Sequence, residues 1–100
     1  MSSYRYQIVV TSQYKKAFKQ IVKRGINDLG ELKLVIDTLA QGKELDEKYL
    51  DHSIGKQRKY GKYPVRECHV ENDFLLVYRK AESVLELILI DLGSHSDIFR

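Results

Sequence analysis

Three histidines, His52, His69 and His95, are the side chains of this sequence best suited to moving protons near neutral pH, since a free imidazole titrates at about 6.5. With Asp73 and the cations Lys56, Arg58, Lys59, Lys62 and Arg66 they fit one chemistry in particular. Attack of a ribose 2′-hydroxyl on its own 3′-phosphate needs a base, an acid for the leaving 5′-oxygen, and positive charge at the phosphate. Histidine can fill both proton-transfer roles, and Arg66 and the lysines upstream can hold the phosphate. Asp73 can orient a histidine or act as a base itself. Tyr60, Tyr63, Phe74 and Phe99 can stack on unpaired bases, although aromatics are more often core; for Phe74 the two readings are equal.

Other uses of these groups are weaker. Taken singly, a histidine is more often a surface or hydrogen-bonded residue than a catalyst. Zinc ligation by His52, Cys68, His69 and His95 lacks any C-x-x-C or H-x-x-x-H spacing, and adjacent Cys68 and His69 on a strand point to opposite faces, so no metal is expected. The sequence has no G-x-S-x-G, no P-loop, no glycine-rich dinucleotide turn and no carboxylate pairing of the glycosidase kind.

The elements that must position these groups can be traced along the chain. Tyr4, Tyr6, Ile8 and Val10 alternate with Ser3, Arg5, Gln7 and Val9, as in a strand with one buried face. Ser12 can cap a helix whose apolar side is Tyr14, Phe18, Ile21 and Val22 and whose other side carries Lys15, Lys16, Lys19 and Lys23, ending at Gly25. Asn27 or Asp28 can cap a second helix, with Glu31 placed as in a capping box, an apolar stripe of Leu32, Val35, Ile36 and Leu39, and a stop at Gly42. Lys43 to Lys62 is polar and is expected to be loop, with a helical turn near Asp46 to Leu50. Strands are expected at Tyr63 to Val70, Phe74 to Lys80 and Val84 to Leu92, close enough in sequence for antiparallel pairing. The tail from Gly93 to Phe99 is polar, and stability alone gives no reason for it to be ordered. The result is an α+β domain spanning residues 1–100, with a strand and two helices packed on one face of a small, mainly antiparallel sheet.

Composition fits one compact domain: 43% hydrophobic and 31% charged residues, one Pro and no repeat. The single cysteine, Cys68, excludes an intramolecular disulfide, and no apolar run is long enough for a membrane span or signal-peptide core, so a cytoplasmic protein is expected. Net charge is only +3, but Met1 to Asn27 holds six basic residues and no acid, and Gly55 to Arg66 is also free of acids. Either a solvated face or a polyanion partner accounts for that clustering.

The segments Asp51-His52-Ser53, Val65-Arg66-Glu67-Cys68-His69-Val70, Asp73-Phe74-Leu75-Leu76-Val77-Tyr78 and Leu92-Gly93-Ser94-His95-Ser96-Asp97-Ile98-Phe99 resemble, in order and spacing, the YafQ-type toxins of the RelE superfamily. The resemblance implies a RelE-like fold and a ribosome-dependent endoribonuclease that cuts messenger RNA in the decoding site, leaving a 2′,3′-cyclic phosphate and a 5′-hydroxyl. It implies no metal or organic cofactor. By motif, His52, His69, Asp73, His95 and Phe99 match the family's active-site positions: His69 and His95 as the proton-transfer pair, His52 and Asp73 in support, Phe99 positioning the base. Arg66 matches the arginine before the family's Glu-Cys-His run, and Phe74 stands where several relatives carry tryptophan. The implied partners are the 70S ribosome with its mRNA, a cognate antitoxin that wraps the toxin, and operator DNA reached only through the antitoxin complex. Two alternatives share the fold: a ParE-like toxin that inhibits DNA gyrase, and a non-catalytic corepressor. Gyrase poisons lack the histidine set.

Overall fold

The computed structural model describes residues 3–99. A strand β1 (Gln7–Val10) leads into helices α1 (Ser12–Arg24) and α2 (Leu29–Ala40). Four further strands follow, β2 (His52–Lys56), β3 (Pro64–Glu71), β4 (Phe74–Ala81) and β5 (Glu86–Gly93), and then a short helix α3 (His95–Ile98). The sheet order is β1-β5-β4-β3-β2; β1 runs parallel to β5 and every other pairing is antiparallel.

Period-two alternation gives β3 and β4 two different faces, and both are covered. One face carries Cys68, Val70, Phe74, Leu76 and Tyr78 against Tyr14 and Ile21 of α1 and Leu32, Val35 and Leu39 of α2. On the other, Val65, Leu75, Val77 and Ile90 meet Ile98 of α3, with Ile54, Tyr60 and Ile88 at the margin. The first face is the expected one, with both long helices on it. The second is the face that carries the candidate site.

Several local expectations need correction. Thr11, not Ser12, caps α1: its hydroxyl oxygen accepts from the Tyr14 N–H at 3.1 Å and donates to the Leu89 carbonyl at 3.0 Å, tying the start of the helix to β5. Gly25 ends α1 in the left-handed conformation at φ 67°, as anticipated. Val22 lies off the buried stripe and is exposed. Asp28 caps α2 through the Glu31 N–H at 3.0 Å, but the Glu31 carboxylate accepts from the Tyr49 hydroxyl instead of closing a box. The expected loop 43–62 contains a 3₁₀ turn at Glu47–Tyr49, but also the strand β2 and a second turn at Arg58–Tyr60. Its polar side chains hid β2 because an edge strand shows water one side.

The C-terminal tail is ordered for two reasons that composition does not register. Ser94 and Asp97 form a reciprocal capping box, and Ile98 is fully buried in the second core. Gly93 permits this arrangement, since a Cβ there would lie 2.8 Å from Oδ2 of Asp97.

Candidate active site

Four rings stand in a row on the second face. His52 begins β2, His69 lies on β3, and His95 and Phe99 belong to α3 and its C-terminal cap. Ring centroids are 6.4 Å apart for His52 and His69, 5.2 Å for His69 and His95, and 6.2 Å for His95 and Phe99. Three segments spread over nearly half the sequence thus deliver their side chains to one line. His52, His95 and Phe99 are about half exposed, whereas His69 is more enclosed.

Asp73, in the β3–β4 turn, fixes His95 twice. One oxygen accepts from the His95 backbone N–H at 2.8 Å and lies 2.6 Å from ring Nδ1. A carboxylate only accepts, so Nδ1 carries the proton and Nε2 is the nitrogen left for chemistry. These two hydrogen bonds, backbone first, lower the Asp73 pKa below the ordinary carboxylate value. His52 is oriented in the same sense: Nδ1 donates to the Leu50 carbonyl at 2.6 Å, and Nε2 faces the sheet.

Sequence reasoning passed over Glu67. It is 2% exposed, lies beneath the row, and presents one oxygen to Nε2 of both His52, at 3.7 Å, and His69, at 3.5 Å. Its other oxygen, Oε2, has no hydrogen-bond partner among the described residues. An unmatched buried carboxylate oxygen costs stability, and its position under two imidazoles is where an anion can pair with an imidazolium. The signal was available: Glu67 is two residues from His69 on a strand, hence on the same face.

Strand geometry and burial set two candidates apart from the row. Arg66 is three residues from His69 and projects to the helix-bearing face, where its Nε lies 3.3 Å from Asp51, which also accepts from the Tyr78 hydroxyl at 2.6 Å. The structure does not bring it to the histidines. Phe74 is 1% exposed within the main core, so core, not base stacking, is its place. Cys68 also points into that core, and burial pushes its thiol pKa up.

The expected cations sit unevenly around the row. Arg58 and Lys59 line a cleft of about 440 Å³ with Gln57, Ile98 and Phe99. Lys56, the last residue of β2, and Lys62 are exposed and do not line that cleft. On the other side of His95, a cleft of about 520 Å³ is bordered by Asp73, Ser94, Asn27 and Arg24, the last 3.9 Å from Asp97. A row of imidazoles oriented by carboxylates, open to solvent and flanked by cations, can take a proton at one ring and give one at the next.

The depressed pKa of Asp73 makes an acid-sensitive contact. A carboxylate whose folded pKa is lowered contributes stability above the unfolded value and loses it as pH falls through the folded value. The Asp73 carboxyl ¹³C resonance is therefore expected to pass its titration midpoint below about 4, the ordinary carboxylate range. A midpoint above that range would mean that the two His95 hydrogen bonds do not stabilise the Asp73 carboxylate.

A family model described as the bacterial toxin of type II toxin–antitoxin system, YafQ, matches residues 6–100. Among solved structures, a metal-bound toxin from Helicobacter pylori is 37% identical and superposes with a TM-score of 0.81, covering 94% of this chain and 99% of that one. YafQ in the E. coli DinJ–YafQ toxin–antitoxin complex is 28% identical with a TM-score of 0.80, over 96% and 99% of the two chains. E. coli YafQ alone, from strain BL21(DE3), is 26% identical with a TM-score of 0.80. No curated protein matches the sequence. With its RelE-like α+β fold and a match over nearly its whole length, this chain belongs to the YafQ family of bacterial toxins of type II toxin–antitoxin systems.

Proposed function

We propose that this toxin is a ribosome-dependent endoribonuclease that cuts messenger RNA by in-line attack of a 2′-hydroxyl on the adjacent phosphate. The observation that carries the reading is the Asp73–His95 pair at the end of a row of three imidazoles. One imidazole of the His69–His95 pair takes the 2′-hydroxyl proton as the 2′-oxygen bonds to phosphorus. The other, as imidazolium, protonates the 5′-oxygen as the P–O5′ bond breaks, leaving a 2′,3′-cyclic phosphate and a 5′-hydroxyl. Glu67 supports the charged imidazoles from below, His52 completes the row, and Phe99, exposed beside His95, is a ring on which the base at the cut can stack. Arg58 and Lys59, in the cleft under Phe99, are the cations best set to meet the phosphate.

The H. pylori relative is a metal-bound protein. Here the described residues contain no group of three His, Cys, Asp or Glu side chains that could hold an ion, and no step of the proposed reaction is routed through one. E. coli YafQ is found with the antitoxin DinJ. By that likeness a cognate antitoxin pairs with this chain; operator DNA, as the sequence resemblance implies, is reached only through that complex. No helix among the described residues is long and apolar enough to cross a membrane, in keeping with a site of action on cytoplasmic ribosomes. The histidine row weighs against a ParE-like gyrase inhibitor, which has no use for it.

The test is a cleavage assay on purified 70S ribosomes programmed with a defined message, with a ribosome-free control and mapping of the new 5′ ends. Site-specific cuts bearing 5′-hydroxyls are expected only with ribosomes. Absence of cuts from a preparation that still arrests growth on induction would end this reading and direct attention to gyrase.

A further inference from the structure

On the same face of the sheet as the histidines, but at the opposite end of β3, lies a cleft of about 280 Å³ that the reaction leaves unused. Ile88 and Ile90 line it with Tyr60, Tyr63, Lys59, Arg79 and the residues that begin α1. Tyr63 is 51% exposed, and the Arg79 guanidinium lies over its ring with Cζ 4.3 Å from the centroid. Neither Arg79 nor Lys59 has a carboxylate within ion-pair distance among the described residues. Asp91, the acid bonded to this lining, is occupied inward: it accepts from the Tyr60 hydroxyl at 2.5 Å, the Gln13 amide at 3.1 Å and the Leu92 N–H at 2.8 Å. Tyr60 is therefore fixed as a structural donor, its hydroxyl pKa pushed up chiefly by burial, and Lys59 covers its ring.

Such a set of groups has a recognisable complement. A guanidinium stacked on an aromatic ring keeps its N–H edge free for a phosphate oxygen, and the exposed Tyr63 ring offers surface to a base. The cleft is not isolated either, because Lys59 lines both it and the cleft beneath Phe99. Phe99 in turn stands beside His95. A continuous path of rings and cations thus leads away from the proposed point of cleavage. Tyr63 immediately precedes β3 and is six residues before His69, roughly 20 Å at the usual strand rise, which is beyond the reach of one nucleotide.

We propose that Tyr63 and Arg79 form a second RNA subsite, which holds a nucleotide flanking the cut in single-stranded RNA. The proposal rests on the endoribonuclease reading and extends it. Tyr63 takes a base by stacking, and Arg79 and Lys59 take the neighbouring phosphates. Sequence specificity from this subsite is low, because every base has a π face.

The test uses the purified full chain and 2′-O-methyl oligoribonucleotides, whose blocked 2′-oxygen prevents cleavage, read by fluorescence anisotropy. A hexamer is expected to bind more tightly than a trimer. Tyr63→Ala and Arg79→Gln should each weaken the hexamer roughly tenfold, leave the trimer unchanged and leave the melting temperature close to wild type, while Tyr63→Phe binds like wild type. Arg79→Gln should also flatten the dependence of log affinity on log salt by about 0.7. A hexamer no tighter than the trimer, or one indifferent to both substitutions, overturns the subsite. Because binding is read without cleavage, the two readings fail separately. Hexamer binding through Tyr63 and Arg79 by a protein that cuts no message sinks the nuclease reading alone; cleavage of programmed message by a protein whose variants bind normally sinks the subsite alone.

Discussion

His95→Ala should lower single-turnover cleavage on programmed ribosomes by about 10²- to 10⁴-fold, the usual worth of a positioned general acid or base, and leave the fold intact. The fold should survive because little of it depends on the imidazole. The ring is half exposed, and the contact that anchors this end of α3 to the β3–β4 turn is made by the His95 backbone N–H to Asp73, which alanine retains. The Ser94–Asp97 capping box and buried Ile98 are also untouched. What alanine removes is Nε2, the only nitrogen of that ring not already committed to Asp73. His69→Ala should cost a similar factor, and the double variant little more than either single one, because two groups serving the same proton transfers act as a unit. Both single variants cutting at the wild-type rate, with melting temperatures unchanged, would show that the row is not the catalytic apparatus.

The sequence discloses more of the site's membership than of its arrangement. His52, His69, Asp73, His95 and Phe99 are picked out by residue type and motif, and the structure gathers all five. Arg66 and Glu67 show what motif reading loses. Both belong to the same hexapeptide as His69, and strand alternation alone sends Arg66 behind the sheet to Asp51 and puts Glu67 beside the histidine. Parity separates the two: residues 65, 67 and 69 share one face of β3, and 66 and 68 the other. Glu67 was also unexpected because a carboxylate with an unpartnered oxygen is a poor core residue; the histidines give it a reason to be there.

The fold shows a similar division. β3, β4 and β5 are close to their expected bounds because turn residues separate them and because the unbroken apolar runs of β4 and β5 mark strands buried on both faces. β2 and α3 escape a reading based on hydropathy, since one is an edge strand with an exposed, polar composition and the other is four residues long. Each is held by contacts distant in sequence, β2 by its ladder to β3 and α3 by Asp73 and the second core. Those two elements supply three of the four rings in the row. The parts hardest to foresee are thus the ones that complete the site, as expected where local propensity yields to tertiary contacts and function.

Phe74 is the residue that the sequence leaves evenly divided between core and base stacking, and its replacement should have the largest effect on stability. The side chain is 1% exposed and packs in the main core with Tyr14, Ile21 and Leu76. Phe74→Ala should cost about 3–5 kcal/mol, a large share of the roughly 5–15 kcal/mol that holds a domain of this size together. Melting temperature should fall by about 15–30 °C. Alanine cannot by itself distinguish core from RNA contact, because unfolding also abolishes cleavage. Phe74→Leu can: it keeps an apolar side chain in the core but loses the ring. If the side chain serves packing, the leucine variant melts somewhat lower and, well below that temperature, cuts programmed message at the wild-type rate. A leucine variant that melts like wild type yet has lost cleavage tenfold would put the ring against RNA and overturn the buried placement. The first outcome would leave Phe99 and Tyr63, both about half exposed, as the rings on which RNA stacks.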